Sequence, residues 1–260
     1  MVERFGILCT AAKVAAPPRT AHALTRHGAE VGVVAPPESY IALTQFKKAD
    51  ILLPAAEIAR KLPAIARVLA EDFGAHSILA GDDGAIMMLA QLATQLDRLE
   101  LSDATRAMIA RSAPQSDRVL ELVSDAAFIV AQDGAACAPP RSLANPTVTE
   151  AIHLAQSTVY PLMLKRDGGA GGSGVTKCGN KTQLLAALQA ANGAGVSYVL
   201  QETLPGPVYG VALSGVCGRV GGAFAFEKHI TFGAHGVATV LKHDPRPDIL
   251  QHARGIYEQY

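Results

Sequence analysis

The first third of the chain alternates short apolar runs with segments in which apolar positions recur at helical spacing. Four apolar runs are candidate strands: 5–9, 31–34, 50–54 and 77–80. Helical spacing follows the first run at 19–27, just before Gly28, and follows the third run at 57–73. Strands that alternate with helices predict a parallel sheet with right-handed crossovers. We therefore predict an α/β fold that begins with a small doubly wound parallel-sheet domain over residues 1–97.

Two aspartates follow the fourth candidate strand, and ligands of such sheets bind beyond the carboxyl ends of the strands. Asp82 and Asp83 could each face a substrate. Either could instead cap a helix predicted at 85–96, because a carboxylate accepts hydrogen bonds from the free N–H groups of a first turn. No G-x-G-x-x-G turn follows the first strand, so this domain lacks the standard dinucleotide-binding fingerprint.

A glycine run marks the second part of the chain. The apolar segment 160–164 predicts a strand, Lys165 closes it, and glycines dominate 168–174. Glycine lets backbone N–H groups approach phosphate oxygens because no Cβ blocks the contact, and Lys165 adds a positive charge. These residues predict a phosphate-binding loop. A flexible surface linker is the alternative, although a linker rarely follows a buried strand that ends in lysine.

Two nucleotide-binding geometries compete for this loop. Residues 169–174 match G-x-G-x-x-G, and Glu202 ends a later strand about where a ribose-binding acid would lie, so an NAD(P)-dependent oxidoreductase is one alternative. That fingerprint requires a helix to open at the glycines. Residues 174–178 instead predict a second strand, and Asn180 is the predicted N-cap of a helix that reaches Gly193. We therefore favour a hairpin flap over phosphates.

The remaining pattern predicts further strands. Residues 197–202 form an apolar run with a polar end, and the linker that follows could present backbone groups to an adenine edge. Three alternating segments predict an antiparallel sheet: 208–216, 221–228 and 238–242. Thr147 or Thr149 is the predicted start of a helix that precedes the lysine strand.

The order and spacing of these motifs resemble the ATP-grasp superfamily, which includes biotin carboxylase, carbamoyl-phosphate synthetase and D-alanine ligase. Three segments within 118–260 carry the resemblance: Y-P-L-M-L-K at 160–165, D-G-G-A-G-G-S-G-V at 167–175 and Y-V-L-Q-E-T-L-P-G at 198–206. The N-terminal domain resembles the preATP-grasp domain that usually precedes this fold. The resemblance implies an ATP-grasp domain of α+β lobes over 98–260, divided into a central lobe at 98–200 and an incomplete C-terminal lobe at 201–260.

The resemblance also implies which residues would bind ATP. Arg118 and Lys165 would contact phosphates, and Lys228 would supply a further cation on the phosphates or the substrate. The alternatives for Arg118 and Lys228 are a solvated helix face and an ordinary strand edge. The residues that would receive adenine are Gln201, Glu202, Thr203 and Leu204. The residues of the flap would be Gly168, Gly169, Gly171, Gly172, Ser173 and Gly174.

In the mechanism that the resemblance implies, ATP phosphorylates a substrate carboxylate to an acylphosphate, and an amine or similar nucleophile then displaces phosphate. ATP and Mg²⁺ are the implied cofactors. The family places its metal-binding carboxylates after a helix like the one predicted at 246–260, and this sequence ends at Tyr260. We therefore expect either a truncated piece of a longer ligase or a non-catalytic ATP-binding module, with catalytic residues and metal ligands unassigned.

Charge and composition exclude several other classes. The 23 basic and 23 acidic side chains balance, so no global charge favours nucleic acid or an anionic membrane. No apolar run approaches the roughly 18 residues of a membrane span, and the first residues do not resemble a secretory signal. The four cysteines have no C-x-x-C pairing, so they are expected to be reduced and mostly buried. We expect a cytoplasmic protein that binds small-molecule carboxylate and nucleophile substrates, with a homodimer left open.

Overall fold

The computed structural model describes residues 2–114, 119, 124, 140–167, 174–216, 219–231 and 238–259. The chain divides into two compact units, Met1–Val119 and Leu120–Tyr260. Within the described residues, no helix combines the length and the apolar character that crossing a membrane requires.

The first unit is built on a parallel sheet. Its strands are β1 (Arg4–Leu8), β2 (Glu30–Ala35), β3 (Ala49–Leu52) and β4 (Ser77–Ala80), in the order β3-β2-β1-β4. Its α-helices are α1 (Ala16–Arg26), α2 (Ala55–Arg67), α3 (Asp83–Ala93) and α4 (Asp103–Ser112). A π-helical segment, Val68–Asp72, continues α2, and two short 3-10 helices cover Tyr40–Leu43 and Leu96–Arg98. The predicted parallel sheet is confirmed.

Helices pack on both faces of this sheet, because successive side chains of a strand point to opposite sides. Ile7 of β1 joins a buried cluster with Ala21 of α1. Its neighbour Leu8 joins a second cluster with Ile58 of α2 and Leu89 of α3. The doubly wound arrangement predicted from the sequence is therefore confirmed.

Helix α4 packs in the core of the first unit. Met108 and Ile109 are fully buried in the same cluster as Leu89. The Oγ of Ser112 accepts a hydrogen bond of 2.7 Å from the N–H of Ile78 in β4. The sequence-based boundary after residue 97 assigns this helix to the second domain. The difference has a physical reason: helical periodicity shows that α4 has an apolar face but not which sheet that face covers.

An antiparallel sheet of four strands forms the first half of the second unit, in the order β5-β8-β6-β7. Its strands are β5 (Ser142–Ala144), β6 (Leu162–Arg166), β7 (Val175–Cys178) and β8 (Tyr198–Glu202). Two helices, α5 (Val148–Ser157) and α6 (Lys181–Gly193), contribute Leu154 and Leu188 to a core that also contains Leu162, Leu164 and Leu200. The two helices therefore cover one face of the sheet.

The second half of this unit is a three-stranded antiparallel sheet in the order β11-β10-β9. Its strands are β9 (Tyr209–Val216), β10 (Arg219–Thr231) and β11 (Ala238–His243), followed by helix α7 (Pro247–Gln259). Helix α7 packs closely on one face, since a Cβ added to Gly215 would lie 2.5 Å from the hydroxyl of Tyr257. The three predicted strands are confirmed, and so is the α/β fold class.

Side-chain caps determine where the helices of the second unit begin. The Oδ1 of Asn180 accepts a hydrogen bond of 3.0 Å from the N–H of Gln183, so α6 begins where the sequence predicts. Thr147 and Glu150 form a capping box at α5, in which each side chain accepts from the other residue's N–H. The Thr147 hydroxyl also donates to the Glu150 carboxylate at 2.7 Å. These hydrogen bonds lower the pKa of Glu150 below its ordinary value. The hydroxyl of Thr147 has the larger effect and its N–H the smaller one.

Replacing Thr147 by alanine should lower the free energy of unfolding by about 1 kcal/mol, because the N–H of Glu150 loses its acceptor. The Thr147→Ser variant retains the hydroxyl and should stay close to the wild type. Urea denaturation at pH 7 measures both.

A carboxyl group whose folded pKa is depressed stabilises the fold above its unfolded pKa, and that contribution disappears as the pH falls through the folded value. The deficit of Thr147→Ala should therefore narrow below pH 4.5, the ordinary pKa of Glu150. A deficit that is absent at pH 7 would show that the box does not stabilise α5.

Candidate functional site

The glycine run of the second unit lies between two paired strands. Lys165 of β6 is opposite Val175 of β7, and the N–H of Arg166 donates to the carbonyl of Gly174 at 2.9 Å. Gly174 has a φ of +81°, a left-handed conformation that favours glycine, and a Cβ there would lie 2.8 Å from the Cβ of Arg166. The predicted β-hairpin is therefore confirmed on both sides of the loop.

This hairpin differs from the dinucleotide-binding turn that the G-x-G-x-x-G match suggests. In that turn a helix opens at the glycines, so that its N-terminus faces the pyrophosphate. Here Val175–Cys178 is a strand paired antiparallel to β6, and α6 begins only at Lys181. The geometry that the NAD(P) alternative requires is thus not found in this segment.

Strand alternation places Lys165 on the face of the sheet opposite the α5 and α6 core. Leu162 and Leu164 of β6 are buried in that core, whereas Lys165 and Met163 occupy the alternate positions. Gln201 is directly opposite Met163, so it shares a face with Lys165. The side chains of Lys165 and Gln201 therefore lie together on the face of the sheet that α5 and α6 do not cover.

A row of hydrogen bonds crosses three strands at this point. The Nζ of Lys165 donates to the Oε1 of Gln201 at 2.7 Å. The Nε2 of Gln201 donates to the Oγ of Ser142 in β5 at 2.9 Å, and this hydroxyl donates to the carbonyl of Pro140 at 2.6 Å. We call these four residues the cross-strand network. It holds the ammonium group of Lys165 through an uncharged partner.

Glu202 is turned away from Lys165 and toward the start of β5. Its Oε1 accepts a hydrogen bond of 2.8 Å from the N–H of Arg141, and its own N–H donates to the carbonyl of Arg141 at 3.0 Å. Of the two polar residues that end β8, the structure brings only Gln201 into contact with Lys165. Glu202 instead joins β8 to the segment before Ser142.

The linker after β8 is exposed, and it leads to a second open surface. Thr203 is exposed, and Leu204 is 59% exposed. Strand β10 presents Lys228, Phe226 and Phe224 at alternate positions on one face, and the two phenylalanine rings lie 5.7 Å apart. Phe224 is 50% exposed, so this face is apolar and open, with Lys228 as an exposed cation on it.

Two acidic residues at the three-stranded sheet contact other side chains of the protein. Glu227 lies 3.8 Å from Lys242 in an ion pair, and Asp244 accepts a hydrogen bond of 3.1 Å from the Tyr209 hydroxyl. Among the residues that the structure describes, no group of three His, Cys, Asp or Glu side chains could hold a metal ion.

Asp82, in the first unit, caps α3 and ties the ends of β1 and β4 together. Its Oδ1 accepts from the N–H of Ala85 at 2.9 Å and from the hydroxyl of Thr10 at 2.8 Å. Its Oδ2 accepts from the N–H groups of Thr10 and Ala11, at 2.7 and 2.9 Å. The capping alternative is therefore confirmed for Asp82. Because a carboxylate has about four acceptor positions, these four donors argue against its predicted role toward a substrate.

The surroundings of Asp82 are closely packed. A Cβ added to Gly84 would collide with the Thr10 hydroxyl.

Burial raises the pKa of the Cys9 thiol to about 12, and the nearby Asp82 carboxylate contributes a smaller part of this shift. Cys9 and Cys178 are both buried, as the sequence predicts, and neither forms a disulfide bond among the described residues. Asp83 is exposed in the first turn of α3, and its substrate role stays a prediction.

Several predicted nucleotide-binding residues lie outside the described residues. They are Arg118, Gly168, Gly169, Gly171, Gly172 and Ser173. Their roles, and those of Lys165, Gln201, Glu202, Thr203, Leu204 and Lys228, stay predictions. The sequence missed Ser142 and Arg141, which contact Gln201 and Glu202. The polar positions of β5 alone could not identify these contacts, since they depend on a strand pair formed across about 60 residues of chain.

Known protein families and solved structures include domains that are similar to this one. The family model for the ATP-binding domain of the carbamoyl-phosphate synthase L chain matches residues 123–204. An L-amino acid ligase from Bacillus licheniformis superposes with a TM-score of 0.68 at 15% identity, over 97% of this chain and 59% of that one. Residues 123–204 are thus similar to an ATP-binding domain, and the fold of the chain is similar to that of ATP-grasp proteins. No curated protein matches the sequence.

Two further ATP-grasp neighbours contain nucleotide. N5-carboxyaminoimidazole synthetase from Staphylococcus aureus, complexed with ADP, has a TM-score of 0.66 at 12% identity and covers 99% of this chain and 63% of its own. The biotin carboxylase domain dimer of 2-oxoglutarate carboxylase from Hydrogenobacter thermophilus, with MgADP and bicarbonate, has a TM-score of 0.64 at 17% identity and covers 97% and 57%. This chain thus spans about three fifths of the length of these neighbours. At such identities they establish the fold alone.

Replacing Asp82 by asparagine should destabilise the first unit by roughly 1 to 3 kcal/mol. The NH₂ end of the asparagine amide cannot accept hydrogen bonds, so the N–H or O–H donors that face it are left unpaired. Asp83→Asn is the matched control, since it makes the same chemical change at the exposed neighbour and should stay within about 0.5 kcal/mol of the wild type. Chemical denaturation measures both. Equal stabilities for the two variants would contradict the role of Asp82 in joining β1 to β4.

Proposed function

We propose that this chain is the ATP-binding part of a ligase that activates a carboxylate as an acylphosphate for attack by an amine or similar nucleophile. The observation that carries the proposal is the position of Lys165, whose strand leads into the glycine-rich segment and whose ammonium group is held by uncharged Gln201. The match to a carbamoyl-phosphate synthase ATP-binding domain supports ATP as the nucleotide, as do neighbours that contain ATP or ADP.

The charge of Lys165 suits an anionic ligand. Among the described residues, no carboxylate lies within ion-pair distance of its Nζ. An ammonium group has three N–H donors and no acceptor, so the bond to Gln201 leaves two donors for phosphate oxygens. Backbone N–H groups of the glycine-rich segment would add donors to phosphate oxygens.

The open face of the three-stranded sheet supports a second contact. Phe224 and Leu241 are about half exposed, and Lys228 lies on the same face, directly opposite Leu241. A surface that combines apolar side chains with one ammonium group suits a ligand that has a flat ring and anionic groups. We therefore include Lys228 as a further cation of the proposed site.

The contribution of these residues to catalysis would be electrostatic. Phosphoryl transfer needs its groups aligned and its developing negative charge stabilised, and lysine ammonium groups with N–H donors supply both. Mg²⁺, when bound, would neutralise negative charge on the phosphates. The described residues do not form a metal site by themselves, so we assign no residue to the metal. The partners would be a small-molecule carboxylate and a nucleophile.

Replacing Lys165 by alanine should weaken ATP binding by roughly 1.5 to 3 kcal/mol, about 10- to 150-fold, because a charged donor to phosphate is lost. Lys181→Ala is the control, since Lys181 is an exposed lysine on α6, which covers the opposite face of the sheet. Calorimetric titration measures the dissociation constants. Unchanged ATP affinity in Lys165→Ala would contradict the role of Lys165, and wild-type protein that prefers NADH to ATP would contradict the proposed function.

Hydroxylamine should intercept the acylphosphate and convert it to a hydroxamate, because an acylphosphate reacts with any strong nucleophile. We expect ADP and hydroxamate when the protein is incubated with ATP, Mg²⁺, hydroxylamine and a mixture of amino acids and dicarboxylic acids. Omission of the carboxylates is the control and should suppress ADP formation. Tight ATP binding with no ADP under any condition would favour a non-catalytic ATP-binding module.

A further inference from the structure

The cross-strand network has a fixed direction. The ammonium group of Lys165 can only donate, so Gln201 must turn its amide oxygen toward it. The amide NH₂ then needs an acceptor on the other side, and the Oγ of Ser142 lies there at 2.9 Å. The Ser142 hydroxyl can accept this bond because its own proton goes to the carbonyl of Pro140.

We propose that Ser142 is a positioning residue, which fixes the orientation of the Gln201 amide and thereby the position of the Lys165 ammonium group. This inference rests on the proposed function, in which Lys165 contacts phosphate. Among the described residues, the Ser142 side chain forms hydrogen bonds with Gln201 and Pro140 and none with Lys165. Its effect on a ligand passes through Gln201.

The chemistry of an amide explains why a distant hydroxyl matters. The oxygen and nitrogen ends of a glutamine amide have nearly the same size, so rotation by 180° has little steric cost, and the neighbouring groups decide which end faces where. Without the Ser142 hydroxyl, the Nε2 of Gln201 loses its acceptor. The rotated amide would then present N–H groups to the Lys165 ammonium group, which repels them.

Fixing Lys165 in advance should also favour binding. A lysine side chain loses rotamer entropy when it is held in one conformation. The bond to Gln201 takes part of this cost before a ligand arrives, and it does so without neutralising the charge. An acceptor whose orientation is set by Ser142 therefore orders the ammonium group of Lys165 without an ion pair.

The test compares Ser142→Ala with Ser142→Thr, which retains a hydroxyl and suits a strand. The first readout requires no nucleotide. In NMR spectra, the side-chain NH₂ signals of Gln201 should move and exchange faster with water in Ser142→Ala, and should stay near the wild-type values in Ser142→Thr. Unchanged Gln201 signals in Ser142→Ala would overturn the inference, whatever the protein binds.

The second readout is ATP affinity by calorimetry. Ser142→Ala should weaken ATP binding about 3- to 10-fold, the effect of one hydrogen bond, and Ser142→Thr should restore it. In the Lys165→Ala background, Ser142→Ala should have no further effect, since the two residues act through one contact. A loss of affinity that persists in that background would show a general structural effect and overturn the inference.

The two readouts separate this inference from the proposed function. If the wild type does not bind ATP but its Gln201 signals depend on the Ser142 hydroxyl, the proposed function fails and the positioning of the amide by Ser142 stands. If ATP binds and Lys165→Ala weakens it while Ser142→Ala does not, the proposed function stands and the inference fails.

Discussion

The pairing of β6 with β8 determines the arrangement of the second unit. In an antiparallel pair, opposite residues share a face and successive residues alternate between faces. The register that places Leu164 opposite Leu200 therefore sends both leucines into the core under α5 and α6. The same register places Met163 opposite Gln201, so that Lys165 and Gln201 lie together on the other face. A shift by one residue would bury the lysine and expose the leucines.

This constraint explains how much of the site the sequence could predict. Local signals were sufficient for the helix start at Asn180 and for the strands on both sides of the glycine run, and they narrowed the start of α5 to Thr147 or Thr149, because each depends on residues a few positions apart. The contact between Ser142 and Gln201 joins residues 59 apart, through a strand of only three residues. No periodicity is detectable in so short a segment. The pairing of β5 with β8 therefore had to come from the structure.

The first unit shows the same limit in a different form. The sequence correctly placed Asp82 at the carboxyl end of a strand, where both a cap and a ligand contact are reasonable. Hydrogen bonds from Thr10, which follows β1 and lies 72 residues earlier, add to the cap and occupy acceptor positions of the Asp82 carboxylate. Similarly, the burial of Met108 and Ile109 places α4 with the first sheet, although its own pattern only shows that it has an apolar face. In both cases the deciding contact is long-range.

Lys165 differs in its side-chain contact from Lys47, the other partly buried lysine among the described residues. Lys47, with 21% of its side chain exposed, forms an ion pair of 2.6 Å with Asp50. Lys165 is also partly buried, but its contact is the neutral amide of Gln201 at 2.7 Å. Partial burial makes an uncompensated charge unfavourable, and an ion pair would relieve that cost. Among the described residues the fold instead gives this lysine an uncharged acceptor and no ion pair, and such local conflicts with stability are expected where a protein binds a ligand of opposite charge.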